Sequence, residues 1–307
     1  MAILVTGASG FIGSALIPLL IEKGHRVYGL SRHPPEARER LISLKGDILE
    51  PHLGLSKVPK DIRAVHHLAA IHRLGDDKDS LIWKTNVEGT KRVLAFCAEH
   101  AIPHHYFCST AFTLGRNIYE ESKTVCELMV RESDIPRKTI FKPSIVMGTA
   151  ENPYPGHFSR FISAVIHIHQ RAELIRRKIE GSLRLPVIEP LFRIRGNPEG
   201  KLNLIQIDQV AWGIANIEEA GTFWLTHPDP PTLQQLADWV GELIMVRMKF
   251  EPEVKPTPIE AAFQKMTSAF QPYLWGDNFP SNLQLSPPIT REFIHDTIKR
   301  SLFHSSA

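Results

Sequence analysis

Short apolar runs alternate with longer stretches of helical spacing through the first half of the chain. Ala2–Val5 is an apolar run that ends in Thr6-Gly7, and residues 11–24 then repeat apolar positions at helical spacing up to a glycine stop. Further strands are predicted at 26–31, 41–47, 64–70, 104–110 and 138–148. A long helix is predicted from about Ser80 to His100, and another around Tyr119. Strands that alternate with helices call for a parallel sheet covered on both faces, so the pattern predicts an α/β fold with a doubly wound parallel sheet.

The texture changes near Thr149. Residues 149–157 are turn-rich, 158–174 have helical spacing, and 176–200 are basic and irregular. Residues 201–217 read as a strand and helix that return to the first domain, 221–226 as a strand, and 232–244 as an amphipathic helix with a Thr232 N-cap. A Pro-rich tail ends in a short helix near residues 289–302. The expected division is a first domain over 1–148 with 201–217, and a smaller α/β domain over 149–200 and 218–307.

Composition narrows the class only slightly. A chain of 307 residues with net charge +3 can bury a full core and gives no argument for nucleic acid. Three cysteines, Cys97, Cys108 and Cys126, make neither a disulfide framework nor a zinc motif, which fits a reducing, cytoplasmic compartment. No uncharged apolar run reaches the ~18 residues of a membrane span, and residues 1–7 lack signal-peptide features. No metal site and no membrane partner are expected.

The candidate chemistry begins at residues 6–13, TGASGFIG. Gly7, Gly10 and Gly13 sit between a strand and a helix, where glycines permit a tight turn and close approach to a pyrophosphate facing the helix N-terminus. Thr6, Ser9, Phe11 and Ile12 complete this Rossmann-type stretch. The second strand ends at Ser31 and Arg32, with no carboxylate to bind a ribose 2′-hydroxyl. A hydroxyl and a guanidinium suit a 2′-phosphate, so NADP(H) is favoured and NAD(H) is the alternative. Asp47 is a candidate adenine contact.

In order, TGASGFIG, GDI (46–48), HLAA (67–70), NVEGT (86–90), CST (108–110), YEESK (119–123) and KPSIVMG (142–148) resemble the extended short-chain dehydrogenase/reductases of the epimerase/dehydratase superfamily. The stretch from Ser109 to Gly148 is more similar to the thioester-reductase and male-sterility branch than to sugar-nucleotide epimerases. The resemblance implies that Ile48, Leu68, Ala69, Ala70, Pro143 and Ile145 line the dinucleotide. It implies that Tyr119 exchanges a proton with the substrate oxygen, that Lys123 binds the nicotinamide ribose, and that Thr110 supports the same oxygen. Asn86 matches a family asparagine with a role in local structure or a water relay. The implied activity is hydride transfer to an aldehyde, ketone or acyl thioester. The rivals are an NAD-retaining sugar-nucleotide epimerase or dehydratase and a non-catalytic dinucleotide sensor. A homodimer through the helices around 83–97 and 119–130 is also implied.

Physics supports the pairing, since residues four apart share a helix face and a phenol of pKa about 10 needs nearby positive charge to act near neutrality. Only nine positions separate Thr110 from Tyr119, fewer than in such relatives, and adjacent Ser109 is a second candidate hydroxyl; the two face opposite ways. The basic segment 171–201 reads either as a site for an anionic small-molecule substrate or as a solvated lid. One member of each pair His66–His67 and His104–His105 is expected to be packed.

Overall fold

The computed structural model describes residues 1–74, 77, 79–153, 158, 161–162 and 191–304. The expected helix over 158–174 falls mostly outside these residues, as does the basic segment up to 190 with His167 and His169. The strands in chain order are β1 (Ala2–Thr6), β2 (Arg26–Ser31), β3 (Leu41–Lys45), β4 (Ile62–His67), β5 (His104–Cys108), β6 (Arg137–Pro143), β7 (Ile145–Met147), β8 (Leu191–Arg195), β9 (Leu204–Gln206), β10 (Gly221–Leu225) and β11 (Arg247–Glu251). The helices are α1 (Phe11–Glu22), α2 (Leu81–Trp83), α3 (Gly89–Glu99), α4 (Ile118–Glu132), α5 (Ile207–Asn216), α6 (Leu233–Ile244), α7 (Pro258–Met266) and α8 (Arg291–His304).

The chain forms two units. The first comprises Met1–Ser144, Ile205–Thr226 and Pro280–Gln284; the second comprises Ile145–Leu204, His227–Phe279 and Leu285–Ala307. The first unit is built on a parallel seven-stranded sheet of order β3-β2-β1-β4-β5-β6-β10. Every residue of β1 and β5 is buried, as expected for strands covered on both faces. Leu4, Leu30, Val65, Val93 and Phe96 form one core, while Val87, Phe107, Cys126, Val130 and Ile140 form another with α4. A fully buried side chain such as Phe107 contributes on the order of 1.5–3 kcal/mol by leaving water.

Two differences from the sequence-based division stand out. The strand at 221–225, expected in the smaller domain, pairs with β6 in parallel and forms an edge of the large sheet. Its segment is too short to reveal its partner, and an apolar strand of this kind suits either sheet. The expected helix from Ser80 to His100 is interrupted by a π-helical turn at Lys84–Glu88, which carries Asn86. In the second unit β8 and β11 pair in parallel. Helix α6 starts with the expected Thr232 cap, which forms a reciprocal capping box with Gln235.

All four histidines of β4 and β5 are buried, not one of each pair. His66 stacks on Tyr106 at 4.1 Å, and Tyr106 stacks on His104 at 3.8 Å. His67 bridges the hydroxyls of Thr6 (2.8 Å) and Thr90 (3.1 Å), and His104 meets Thr139 at 2.9 Å. Both ring nitrogens of His105 lack a hydrogen-bond partner. Desolvation holds the pKa of His66 and His105 down to about 3 and that of His104 to about 4, and takes His67 well below the ordinary value.

These rings are therefore neutral in the fold and take up protons first in the unfolded chain. Stability is complete above pH 6.5 and falls as pH drops toward 3, by up to about 1.4 kcal/mol per pH unit for each histidine. Urea unfolding followed between pH 7 and 4 should show this loss, with a shallower slope in His105→Phe. Identical slopes for variant and parent would contradict it.

Candidate functional site

The strand order reverses direction of growth at β1, with β2 on one side and β4 on the other, which opens a crevice at their carboxyl ends. The loops that leave β1 and β4 meet there. Gly7 has φ +71°, and a Cβ on it would lie 2.8 Å from the Ala69 nitrogen. A Cβ on Gly13 would lie 2.4 Å from the Gly7 carbonyl oxygen, so only glycine lets α1 begin so close to the turn. Gly10 caps α1, and no acidic side chain occupies the first turn, which leaves the positive end of the helix open to an anion. The Thr6 hydroxyl accepts from the Ala69 nitrogen at 3.4 Å, and the Leu68 nitrogen donates to the Thr6 carbonyl at 3.2 Å. Phe11, Ile12, Leu68, Ala69 and Ala70 are half-buried around this junction.

The Ser9 hydroxyl donates to that of Ser31 at 3.0 Å, which links the glycine turn to the end of β2, and Arg32 follows exposed. Asp47 folds its own loop: its carboxylate accepts from the Leu49 nitrogen at 2.9 Å. Ile48 is buried against Gly89, where a Cβ would approach its Cδ1 to 2.5 Å. Ile48 is thus a packing residue at the start of α3. Pro143 ends β6 within the first unit, whereas Ile145 belongs to the second. These residues fit a dinucleotide: the glycine turn is a cradle that side chains would fill, at an uncharged helix start.

Helix α4 carries the remaining chemistry. Asn117 caps it, accepting from the Glu120 nitrogen at 3.1 Å. Its buried residues are Glu120, Ser122, Lys123, Cys126, Glu127 and Val130, an unusually polar inner face. Each charge there has a partner. The Glu120 carboxylate accepts from the nitrogens of Leu114 and Arg116, both at 3.1 Å, and so clamps the short loop between Thr110 and Tyr119. Lys123 donates to the Cys108 carbonyl at 2.6 Å and lies 4.6 Å from the centre of the Phe107 ring. Glu127 accepts from Ser109 and from Lys142, each at 2.5 Å.

Tyr119 is half-buried at the start of this helix. Burial raises the phenol pKa above its ordinary value, and the Thr110 hydrogen bond opposes the rise. Burial likewise lowers the pKa of Lys123. The two candidate hydroxyls separate as their alternation requires: Ser109 turns to Glu127, and the Thr110 hydroxyl accepts from the Phe112 nitrogen at 3.2 Å.

Asn86 is 1% exposed and serves local structure. Its amide accepts from the Ile71 nitrogen (2.8 Å) and donates to the Ile71 carbonyl (3.0 Å) and the Ser122 hydroxyl (2.9 Å). It therefore ties the loop after β4 to α4. Cys126 donates to the Asn86 carbonyl at 3.2 Å, and burial raises the pKa of all three free thiols.

Glu120, Ser122 and Glu127 were missed in the sequence, where they resemble a solvated helix face. Their signal was positional: Glu127 follows Lys123 by four, so it shares the buried face. Of the basic residues expected near an anionic substrate, Arg193 is held by Glu260 through its side chain (2.9 and 3.1 Å) and backbone nitrogen (2.9 Å). Lys201 pairs with Asp229 at 3.3 Å. His52, Glu99 and His100 gather on the surface, but all are exposed and a His52–Glu99 contact of 3.4 Å at the end of α3 accounts for them.

The fold and this arrangement define a class: a doubly wound dinucleotide-binding protein with a tyrosine–lysine pair on the helix after its fifth strand. A family model described as the NAD dependent epimerase/dehydratase family matches residues 3–178. The chain belongs to that family. It is 38% identical over 112 residues to a 2-alkyl-3-oxoalkanoate reductase of Stenotrophomonas maltophilia, a match that covers 36% of this chain and 33% of that one. It is 33% identical over 140 residues to cinnamoyl-CoA reductase 2 of Medicago truncatula, covering 42% and 39%. The matched stretches thus span about a third of the length of these relatives. A structure of UDP-glucuronic acid 4-epimerase from Bacillus cereus, in complex with UDP-glucuronic acid and NAD, aligns over 98% of this chain and 99% of its own. Its TM-score is 0.64 and its identity 20%, so the likeness is one of fold. Among the described residues no helix is long and apolar enough to cross a membrane.

Replacing Asn86 by Ala leaves the Ile71 backbone groups unpaired in a part-buried setting. The expected loss of stability is about 2 kcal/mol in urea unfolding, and a change below about 0.5 kcal/mol would show that the contact is dispensable.

Proposed function

We propose that the protein is an NADP(H)-dependent oxidoreductase of the extended short-chain type, which reduces an aldehyde, ketone or acyl thioester with Tyr119 as proton donor. The observation that carries this reading is the Tyr119–Lys123 pair, one turn apart at the start of α4, in the same unit as the glycine turn. Burial alone raises the phenol pKa, away from the neutral range, and the Lys123 ammonium one turn on is the charge that would oppose that rise during proton transfer. When bound, NADPH supplies the hydride. Thr6, Gly7, Ser9, Gly10 and Gly13 would hold its pyrophosphate, and Ser31 with Arg32 its 2′-phosphate. One of the three ammonium donors of Lys123 is committed to Cys108, which leaves two for a ribose. Thr110 would support the same substrate oxygen, and the Glu120 clamp fixes the short loop that precedes Tyr119.

Two relatives bear on the substrate. The names 2-alkyl-3-oxoalkanoate reductase and cinnamoyl-CoA reductase denote reduction of a ketone and of a coenzyme A thioester, and both lie within the proposed class. The UDP-glucuronic acid 4-epimerase structure, with its NAD, keeps an NAD-retaining epimerase as the rival. A cytoplasmic location and a homodimer through α3 and α4 belong to the same reading. The first is supported by three buried free thiols and the second by the exposed Leu128 on the outward face of α4.

A fluorescence titration of the purified protein with NADPH and NADH should show NADPH bound about tenfold more tightly, with near parity in Arg32→Ala. Tightly retained NAD⁺ with no preference for the 2′-phosphate would overturn the cofactor assignment and favour the epimerase. Tyr119→Phe should lower NADPH-dependent carbonyl reduction about 100-fold or more while leaving dinucleotide affinity within about twofold. Full turnover without the hydroxyl would refute its role as donor.

A further inference from the structure

The buried contact of Glu127 with Lys142 sits one turn beyond Lys123, outside the residues assigned to cofactor or substrate. We propose that Glu127 and Lys142 are positioning residues, which anchor the Ser109 hydroxyl and thereby present the neighbouring Thr110 to Tyr119. The inference rests on the proton-donor reading above and extends it to the groups that set the donor's geometry.

Ser109 and Lys142 are each 3% exposed, and both bond the same Glu127 oxygen. Lys142 also donates to the Thr113 hydroxyl at 3.0 Å and lies 4.9 Å from the centre of the Trp224 ring, its register partner on β10. Four segments therefore converge on one carboxylate: the end of β5, the end of β6, the loop before α4 and α4 itself. Arg131 reaches the other Glu127 oxygen at 3.5 Å from an exposed position, so the carboxylate has a cation on two sides.

The backbone fixes what this anchor does. The nitrogen of Ser109 donates to the Phe141 carbonyl and that of Ala111 to the Pro143 carbonyl, both at 2.8 Å, so the chain past β5 continues alongside β6 in extended form. Successive side chains in such a segment point to opposite faces. With Ser109 tied to Glu127, Thr110 is turned to the opposite face, where its hydroxyl accepts from the Phe112 nitrogen at 3.2 Å and acts on the Tyr119 phenol, opposing its rise in pKa. A slip of one residue would exchange the two hydroxyls. Coupling between Glu127 and Thr110 then passes through a single covalent step of the backbone.

Removing only one charge would leave the other buried and unpaired, which destabilises a fold regardless of any positioning role. The test therefore uses the balanced variant Glu127→Gln/Lys142→Met, with Ser109→Ala as the milder cut that removes one hydrogen bond and no charge. The readout is the ¹³Cζ resonance of Tyr119 in protein labelled at its five tyrosines, assigned by loss of the signal in Tyr119→Phe. Thr110→Val reports the shift that follows loss of the Thr110 hydrogen bond.

Both the balanced variant and Ser109→Ala should move the Tyr119 resonance in the same direction as Thr110→Val, by at least half as much, and Lys142→Arg should keep it near the parent position. A parent-like Tyr119 resonance in Ser109→Ala and the balanced variant, with a clear shift in Thr110→Val, would overturn the positioning role while leaving the donor reading intact. No shift in Thr110→Val itself would remove the Thr110–Tyr119 contact, and the positioning role with it. Should the balanced variant fail to fold, Ser109→Ala decides the matter alone.

Discussion

Burying charged side chains on the inner face of a helix is the constraint around which this site is organised. Helix α4 turns Glu120, Lys123 and Glu127 inward, and an unpaired charge there would cost several kcal/mol. Each is matched by a different part of the chain: loop nitrogens, the carbonyl at the end of β5, and Ser109 with Lys142. The matching fixes the ends of β5 and β6, the loop between β5 and α4, and the start of α4 relative to one another. Tyr119 and Thr110 inherit their geometry from those contacts.

At the same, carboxyl end of the sheet, beside β1, the same economy is achieved by removing side chains. The glycine turn lets the loops after β1 and β4 touch at Gly7 and Ala69, and lets α1 start within contact of that turn. Charge matching at α4 and the absence of side chains at the turn are thus two solutions to one problem: polar groups must approach closely in a place from which water is largely excluded. His67 ties the turn to α3, since it hydrogen-bonds Thr6 beside the turn and Thr90 on that helix.

Much of this was legible in the sequence because period and punctuation agree. The runs at 2–5 and 26–31 and the glycines at 7, 10 and 13 indicated the first β-α-β unit to within a residue or two. The tyrosine–lysine spacing placed both on one helix face. What was not legible depends on partners distant in the chain. Glu127 reads as a surface residue until Lys142 and Ser109 are beside it, and the 221–225 strand gives no sign that it pairs with β6. The π turn at Asn86 has no local breaker residue; it follows from the amide's attachment to Ile71 and Ser122. The paired histidines misled because imidazole is polar in sequence, yet stacking with Tyr106 and three threonine contacts make it a core residue here.

The most direct test of the central claim, a reductase whose tyrosine protonates a carbonyl, is a single-turnover reaction with NADPH deuterated at C4 of the nicotinamide. Protein is mixed with a panel of aldehydes, ketones and acyl thioesters, and the products are analysed by mass spectrometry. The account predicts one deuterium on the former carbonyl carbon of an alcohol or aldehyde product, transferred from one face of the ring. Sugar-nucleotide isomerisation by protein carrying bound NAD⁺, with no deuterium transferred to any carbonyl of the panel, would contradict it.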